Sequence, residues 1–240
     1  MDIGKSFSYV FDDKDWLKKV AIGGLLNIVP IMNLIPGGYA LRTLKNVSEG
    51  KDKPLPEWDD WGGDLIRGLT LFMAGLIYSI PILMMMALVA ISVIAGPRGS
   101  SDMQGITIIC SAGLCFLSVL WAIIMMVIWP ATVIKYATGG QFRSFFRIGD
   151  ILHLIRENLG DHITAILLTI VAFFIAAPVG GLVCLIGMVF SIFWAVLVSA
   201  HLFGQVKAES MPAAPAPSSG ASYGDPASAG VSGRPPAGSA

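Results

Sequence analysis

The chain has 240 residues, of which 55% are hydrophobic and 13% charged, and its 16 basic residues balance its 16 acidic ones. A soluble domain carries about a quarter charged residues, so this composition excludes an ordinary soluble domain and places the chain in the membrane class. Zero net charge removes the general basic field that would suggest nucleic acid as a partner.

The N-terminus, "MDIGKSFSYVFDDKDW", has no apolar core followed by a small-residue cleavage site. It is therefore not read as a cleavable signal peptide, and the chain is expected to insert through its own spans. Residues 20–41, "VAIGGLLNIVPIMNLIPGGYAL", are long enough to cross a bilayer but hold Pro30, Pro36, Asn27, Asn33 and two Gly-Gly pairs. Two readings follow: a single span, or a re-entrant hairpin of two half-membrane helices turning near Pro30–Asn33. At that density of breakers the second is favoured. Asn27 and Asn33 then form the one polar site the broken segment offers, either facing a cavity or capping the turn.

The stretch 55–63, "LPEWDDWGG", packs three acids and two tryptophans between apolar runs. Pro56 suits the first position of a helix, and Glu57, Asp59 and Asp60 would fall in its first turn, where carboxylates meet exposed backbone N–H groups. Asp64 continues the acidic face. Trp16, Trp58 and Trp61 are expected as anchors at headgroup level. Glu57, Asp59, Asp60 and Asp64 are also the weak candidates for a divalent metal site. Adjacent acids on a helix diverge, however, and no loop glycine or bidentate Glu completes a calcium pattern, so no metal or cofactor is expected.

Apolar runs follow at 65–95, 106–134, 163–177 and 182–206, each read as a spanning helix. "PVGG" at 178–181 is expected to be the corner between the last two. Between the second and third runs lies a helix expected over 141–160. Phe145, Ile148, Leu152, Ile155 and Leu159 form its apolar face, and Arg143, Arg147, Asp150 and Glu157 lie on another. Two readings stand: a helix in the interface plane, with Arg143 and Arg147 as contacts to lipid phosphates, or a cytoplasmic helix packed on the bundle with its arginines solvated. Domain organisation is thus a polytopic unit over 1–208 and an Ala/Pro/Gly/Ser-rich tail over 209–240 that lacks the apolar surface to fold.

Basic residues orient the chain. Lys5, Lys14, Lys18 and Lys19 precede the broken segment; Arg42, Lys45, Lys51, Lys53 and Arg67 follow it; Lys135, Arg143, Arg147 and Arg156 separate the second and third runs; Lys207 ends the fourth. Only Arg98 lies between the first and second. With a re-entrant first segment every dense basic stretch shares one side, which the positive-inside rule makes cytoplasmic, together with both termini.

Catalytic chemistry is sparse. His153, His162 and His201 lack a second His or Cys at ligand spacing, and no HExxH, GxSxG, Walker loop or GxGxxG occurs. The Gly-Gly pairs look like close-packing points. Cys110, Cys115 and Cys184, and the methionines at 84–86 and 125–126, read as apolar packing.

These residues bring a family into view. "FSYVFDDKDWLKKVAIGGLLNIVPIMNLIPGGYALRTLKNVSEGKDKPLPEWDDWGGDLIRGL" resembles the start of the prokaryotic membrane family known as domain of unknown function 4013. The resemblance is carried by D-x-x-W, I-G-G-L, P-x-G-G-Y-x-L-R and above all L-P-E-W-D-D-W-G. It covers about the first 70 residues closely, implies a polytopic membrane protein, and brings no activity or site residues. The expectation is an all-α polytopic bundle in the cytoplasmic membrane. It would act as a non-enzymatic scaffold or accessory subunit, meeting lipids and either a membrane-protein partner or a further copy of itself. The alternatives are a permease or channel-like protein using the break at Pro30–Asn33, and a membrane enzyme acting on lipid headgroups.

Overall fold

The structure, a computed structural model, describes residues 1–94, 101–182 and 184–209. The expected tail over 209–240 lies outside the described residues apart from Glu209. Among the described residues every regular element is helical: α1 Ile3–Ser8, α2 Trp16–Ile28, α3 Leu34–Ser48, α4 Trp61–Ile94, α5 Ser101–Gly139, α6 Ile148–Glu157, α7 Leu159–Leu182 and α8 Cys184–Glu209, with a 3-10 turn at Phe142–Phe146 before α6. Four helices are long and apolar enough to cross a membrane: Trp61–Ile94, Gln104–Gly139, Leu159–Gly181 and Gly187–Glu209.

The broken segment is two helices. α2 and α3, at 13 and 15 residues, rise about 20 Å each, short of the roughly 30 Å hydrocarbon core. Pro36 sits in the first turn of α3, where its missing N–H costs nothing. The break itself places Ile31 at φ +72°, a left-handed conformation uncommon for a β-branched residue. Contacts on α8 give the two helices opposite directions. Gly23 and Gly24 lie under Phe193 and Phe190, so α2 runs antiparallel to α8. Tyr39 packs near Phe193, and Leu44 and Val47 lie against Gly204, so α3 runs parallel to it. α2 and α3 therefore form a hairpin whose two outer ends meet at the same end of α8.

Glycine decides how closely these helices approach. A Cβ on Gly38 would lie 1.9 Å from the Asp64 carbonyl oxygen, and one on Gly68 would lie 1.9 Å from the Leu34 carbonyl oxygen. α3 and α4 thus touch backbone to backbone through reciprocal small residues. α5 returns antiparallel along α4, with Trp129 beside Gly75 and the Ser92 and Ser111 hydroxyls 2.8 Å apart.

Four expectations are corrected. α4 begins at Trp61 and not at Pro56, because backbone carbonyls of 54–57 are taken by side chains of α3, described below. α7 runs through Pro178, so "PVGG" is not the corner. In apolar surroundings no water replaces the remaining helical bonds, and one missing N–H does not end the helix; Gly180 instead lets Met188 and Ser191 of α8 pass close. The expected single helix over 141–160 is three pieces, broken at Arg147 and Asn158. Its buried residues are Phe145, Ile151, Leu154 and Ile155, whereas Ile148, Leu152 and Leu159 are exposed. The segment is apolar on two sides, one packed on the bundle and one facing outward. Cys110 and Cys115 are likewise exposed on α5 and do not pack in a core, and the side chain of Cys184 lies outside the described residues.

Two prolines inside long helices share a pattern. Pro81 has no N–H for the Ile77 carbonyl, and the next carbonyl, Tyr78, accepts from Trp121 Nε1 at 3.2 Å. Pro130 has none for Met126, and the next carbonyl, Val127, lies 2.8 Å from His162 Nε2. A carbonyl acceptor assigns the proton to Nε2. In both places a polar side chain of a neighbouring helix meets the backbone that the proline loosens.

Candidate functional site

The sequence motif at 55–63 ends up at the centre of a charged cluster at the basic end of the bundle. Tyr39, Arg42 and Asn46 recur at helical spacing on α3 and hold the loop between α3 and α4. Asn46 Nδ2 donates to the Pro54 carbonyl at 2.9 Å, Tyr39 OH to that of Pro56 at 2.7 Å, and Arg42 Nη2 to that of Glu57 at 2.8 Å. Those bonds satisfy loop backbone that would otherwise demand a helix or water. Trp58 then lies flat on Tyr39, with ring centroids 4.1 Å apart, and its Nε1 donates to the Lys19 carbonyl at 3.2 Å. Trp61 stands 5.5 Å beyond and is partly exposed. Trp16 packs with Phe11 at the start of α2. Of the three expected anchors, Trp58 is thus held inside the fold.

Each acid of the motif meets a cation. Lys19 Nζ is 2.6 Å from Glu57 and 2.8 Å from Asp13, with its side chain only 3% exposed. Arg42 binds Asp59 at 2.8 Å and Asp64 at 2.7 Å. Arg67 binds Asp60 and the other oxygen of Asp64, both at 2.9 Å. Asp64 is fully buried between the two arginines. Asp60 also accepts from the Gly63 N–H at 3.0 Å, which caps the start of α4.

The electrostatics follow from these contacts. Burial opposes the Lys19 ammonium, but hydrogen bonds to Asp13 and Glu57 outweigh it and raise the pKa above the ordinary 10.5. Burial likewise favours the neutral form of Asp13, yet bonds from Lys19 and the Asp15 N–H lower its pKa. The Arg42 guanidinium holds Asp59, and the Arg67 guanidinium holds Asp60, below the usual carboxylate range. All of these groups are charged at neutral pH. Among the described residues no group of three or more His, Cys, Asp or Glu gathers in a way that could hold a metal ion; Glu57, Asp59, Asp60 and Asp64 are shared out over Lys19, Arg42 and Arg67.

The remaining candidates lie apart. Asn27 Nδ2 donates to the Gly23 carbonyl at 3.1 Å within α2, and Asn33 is exposed at the break, with no side-chain cap bond to α3. Neither lines the apolar cavity of ≈ 490 Å³ between α5, α7 and α8 or the polar cavity of ≈ 460 Å³ between α3, α4 and α5. Arg143 and Arg147 are exposed beside outward-facing Phe142 and Phe146, and Arg147 pairs with Asp150 at 2.8 Å.

Sequence reasoning missed the partners of the acids. The spacing of 39, 42 and 46 was the available signal: a polar stripe on one face of an apolar helix. It also missed a second polar cluster. His201 Nδ1 lies 3.0 Å from Ser6 Oγ and from Gln205 Nε2, Tyr9 stacks on its ring at 4.3 Å, and Asp2 N–H donates to Gln205 Oε1 at 2.7 Å. These contacts fasten α1 to the end of α8.

Among known families, the model of "Protein of unknown function (DUF4013)" matches residues 22–185. The chain belongs to that family. The matched stretch takes in α4, α5, α6 and α7 as well as most of the broken segment, well beyond the first 70 residues. Neither a curated protein nor a solved structure matches the chain.

Proposed function

We propose that the chain is a non-enzymatic membrane scaffold or accessory subunit. In this reading α4, α5, α7 and α8 span the cytoplasmic membrane, α2–α3 form a re-entrant hairpin, and both termini are cytoplasmic. The carrying observation is that Glu57, Asp59, Asp60 and Asp64, the carboxylates best placed to act on a headgroup or hold a cation, are already bound to Lys19, Arg42 and Arg67. Asp59 and Asp60, held below the usual carboxylate pKa by Arg42 and Arg67, are poor proton acceptors at neutral pH, and a cation would have to displace a lysine or an arginine to reach any of the four.

Membrane placement is supported by the apolar side chains that α4 and α5 turn outward, among them Leu83, Ile91, Ile108 and Phe116. The hairpin directions of α2 and α3 support re-entry, since residues 16 and 48 return to one end of the bundle. In this arrangement Arg143 and Arg147 face lipid phosphates, with Phe142 and Phe146 beside them in the interface.

The test is purification from native membranes in mild detergent. A partner, or a further copy, that co-purifies in fixed stoichiometry and survives reciprocal tagging is the expected result; a lone monodisperse chain refutes the reading. Calorimetry with Mg²⁺, Mn²⁺ and Ca²⁺ tests the enzymatic alternative, and a binding heat lost in Asp60→Asn would reinstate it. Sidedness is read by an impermeant maleimide on cells carrying Asp52→Cys or Ser101→Cys in a chain free of other cysteines. Protection at 52 with labelling at 101 is expected. Labelling at 52 would mean that the first segment crosses.

A further inference from the structure

The polar cavity of ≈ 460 Å³ between α3, α4 and α5 is lined by Arg42, Lys45, Lys51 and Arg67, with Glu49 the one acid in its wall. The two arginines are neutralised from behind, by Asp59, Asp60 and Asp64, none of which lines the space. The two lysines share a single carboxylate: Lys51 Nζ is 3.0 Å from Glu49 and Lys45 Nζ 3.9 Å, and both side chains are 53% exposed. At the rim itself two lysines face one carboxylate, and Lys51 Nζ also donates to Asn46 Oδ1 at 2.7 Å. A second observation comes from its wall. The Arg42 guanidinium is tied by its Nη atoms to Asp59, Asp64 and the Glu57 carbonyl and stands beside Arg67 in that wall, and a cation held fixed in a confined space favours an oxyanion.

The cavity sits at the end of the bundle where the basic segments converge, between helices that span or adjoin a membrane. Basic pockets in that position accept anionic headgroups. We propose that this cavity is a phosphate-binding site, occupied by the phosphate of an anionic phospholipid or by free phosphate. Lys45 and Lys51 draw the anion in from the rim, and Arg42 and Arg67 supply fixed positive charge in the wall. Glu49 competes with the ligand for both lysines, so it sets the affinity from below. The site does not rest on the scaffold reading, since an accessory subunit, a transporter and an enzyme would each accommodate it. The competing account is a solvated rim, in which these lysines attract an anionic surface no better than any others.

The full chain in neutral maltoside micelles is titrated with short-chain phosphatidylglycerol, with inorganic phosphate, and with diacylglycerol as the phosphate-free control. Saturable binding of phosphatidylglycerol or phosphate, and not of diacylglycerol, is expected. K45Q/K51Q should weaken it about thirtyfold, the equivalent of ~1 kcal/mol per lysine near an anionic group. E49Q should tighten it. K14Q/K18Q, which removes two exposed lysines of α2 and the residues before it, should leave it unchanged. Lipid binding without phosphate binding assigns the lipid headgroup; phosphate binding of comparable strength assigns the free anion. The proposal is overturned if K14Q/K18Q weakens binding as much as K45Q/K51Q, or if neither phosphate source binds saturably. Lys45 and Lys51 are half exposed, and coincident circular-dichroism melts of the variants check that the fold is intact.

Discussion

Gly38→Ala tests the contact on which the charged cluster depends. The added Cβ would stand 1.9 Å from the Asp64 carbonyl oxygen and 2.6 Å from its carbon, where ordinary contact begins at 3.4 Å. The obstruction is helix backbone and cannot rotate away, so α3 and α4 must separate by about 1.5 Å, at the upper end of the ~1–3 kcal/mol that overpacking costs. That displacement also stretches the 2.7 Å Arg42–Asp64 pair. Gly68→Ala meets the Leu34 carbonyl in the same interface, so once the helices have parted the second methyl is partly accommodated. The double variant should lose less than the sum of the singles, with a coupling of about 1 kcal/mol or more. Gly113→Ala is the control. Its Cβ meets nothing within 4 Å in the interior of α5, so alanine should stabilise by up to ~1 kcal/mol through helix propensity. Stability is read by circular dichroism during titration of mixed micelles with dodecyl sulfate. A Gly38→Ala loss below about 0.5 kcal/mol, or strict additivity with Gly68→Ala, refutes the close approach of α3 and α4.

Lys19→Met leaves the half-buried Asp13 without its cation and should cost about 3 kcal/mol, the low end for breaking a buried pair because Asp13 is partly wet and exposed Glu57 can turn to water. The contribution of the pair has a defined pH window. Asp13 has a lowered pKa, so its share is present above 3.8 and is lost as pH falls through the folded value; Lys19 has a raised pKa, so its share is present below 10.5 and is lost as pH rises through the folded value. The difference between wild type and Lys19→Met should therefore be flat from about pH 5 to 9 and shrink outside that range; a difference that changes with pH inside it removes the ion-pair explanation. His162→Leu deprives the Val127 carbonyl of its donor and should cost about 1–3 kcal/mol. In a Pro130→Ala background, where α5 regains its own N–H, the cost should fall by at least ~1 kcal/mol. Equal losses in the two backgrounds, measured by the same denaturation, would show that the histidine does not answer the proline.

The four long helices were legible because apolar length alone identifies them, and the break at 29–33 was legible because Pro30, Pro36 and the glycines are local signals. The start of α4 was not. Pro56 and the acids after it have every local mark of a helix N-terminus, yet Tyr39, Arg42 and Asn46 occupy the backbone of 54–57 from 8 to 17 residues away in sequence. A tertiary bond overrode a local preference, and periodicity within the motif carries no trace of it. The 141–160 segment failed for a different reason. Ile148 and Leu152 obey helical spacing as well as Ile151 and Ile155 do, and hydrophobicity alone cannot tell a face that packs on protein from one that faces lipid. The site residues divide in the same way: the acids were visible as a cluster, but the cations that engage them come from three helices and meet only in the folded chain.

An ionisable or polar side chain within membrane helices is ordinarily a first pointer to function. In this chain that pointer leads inward. His162 and Trp121 meet carbonyls beside Pro130 and Pro81, Asp64 is held by two arginines, and Asn27 bonds back to its own helix. These groups are engaged in keeping long, proline-interrupted helices closed and in fastening a glycine-tight hairpin to them. Groups so engaged are removed from ligand chemistry unless the fold opens. Lys45 and Lys51, sharing Glu49 at the cavity rim, and Arg143 in the interfacial segment stay exposed. A ligand or partner that recognises these groups by charge brings negative charge to them, whereas one that recognises the chain within the bilayer does so through the apolar faces of α4 and α5. The two modes separate experimentally: raising the salt concentration weakens the first and leaves the second intact.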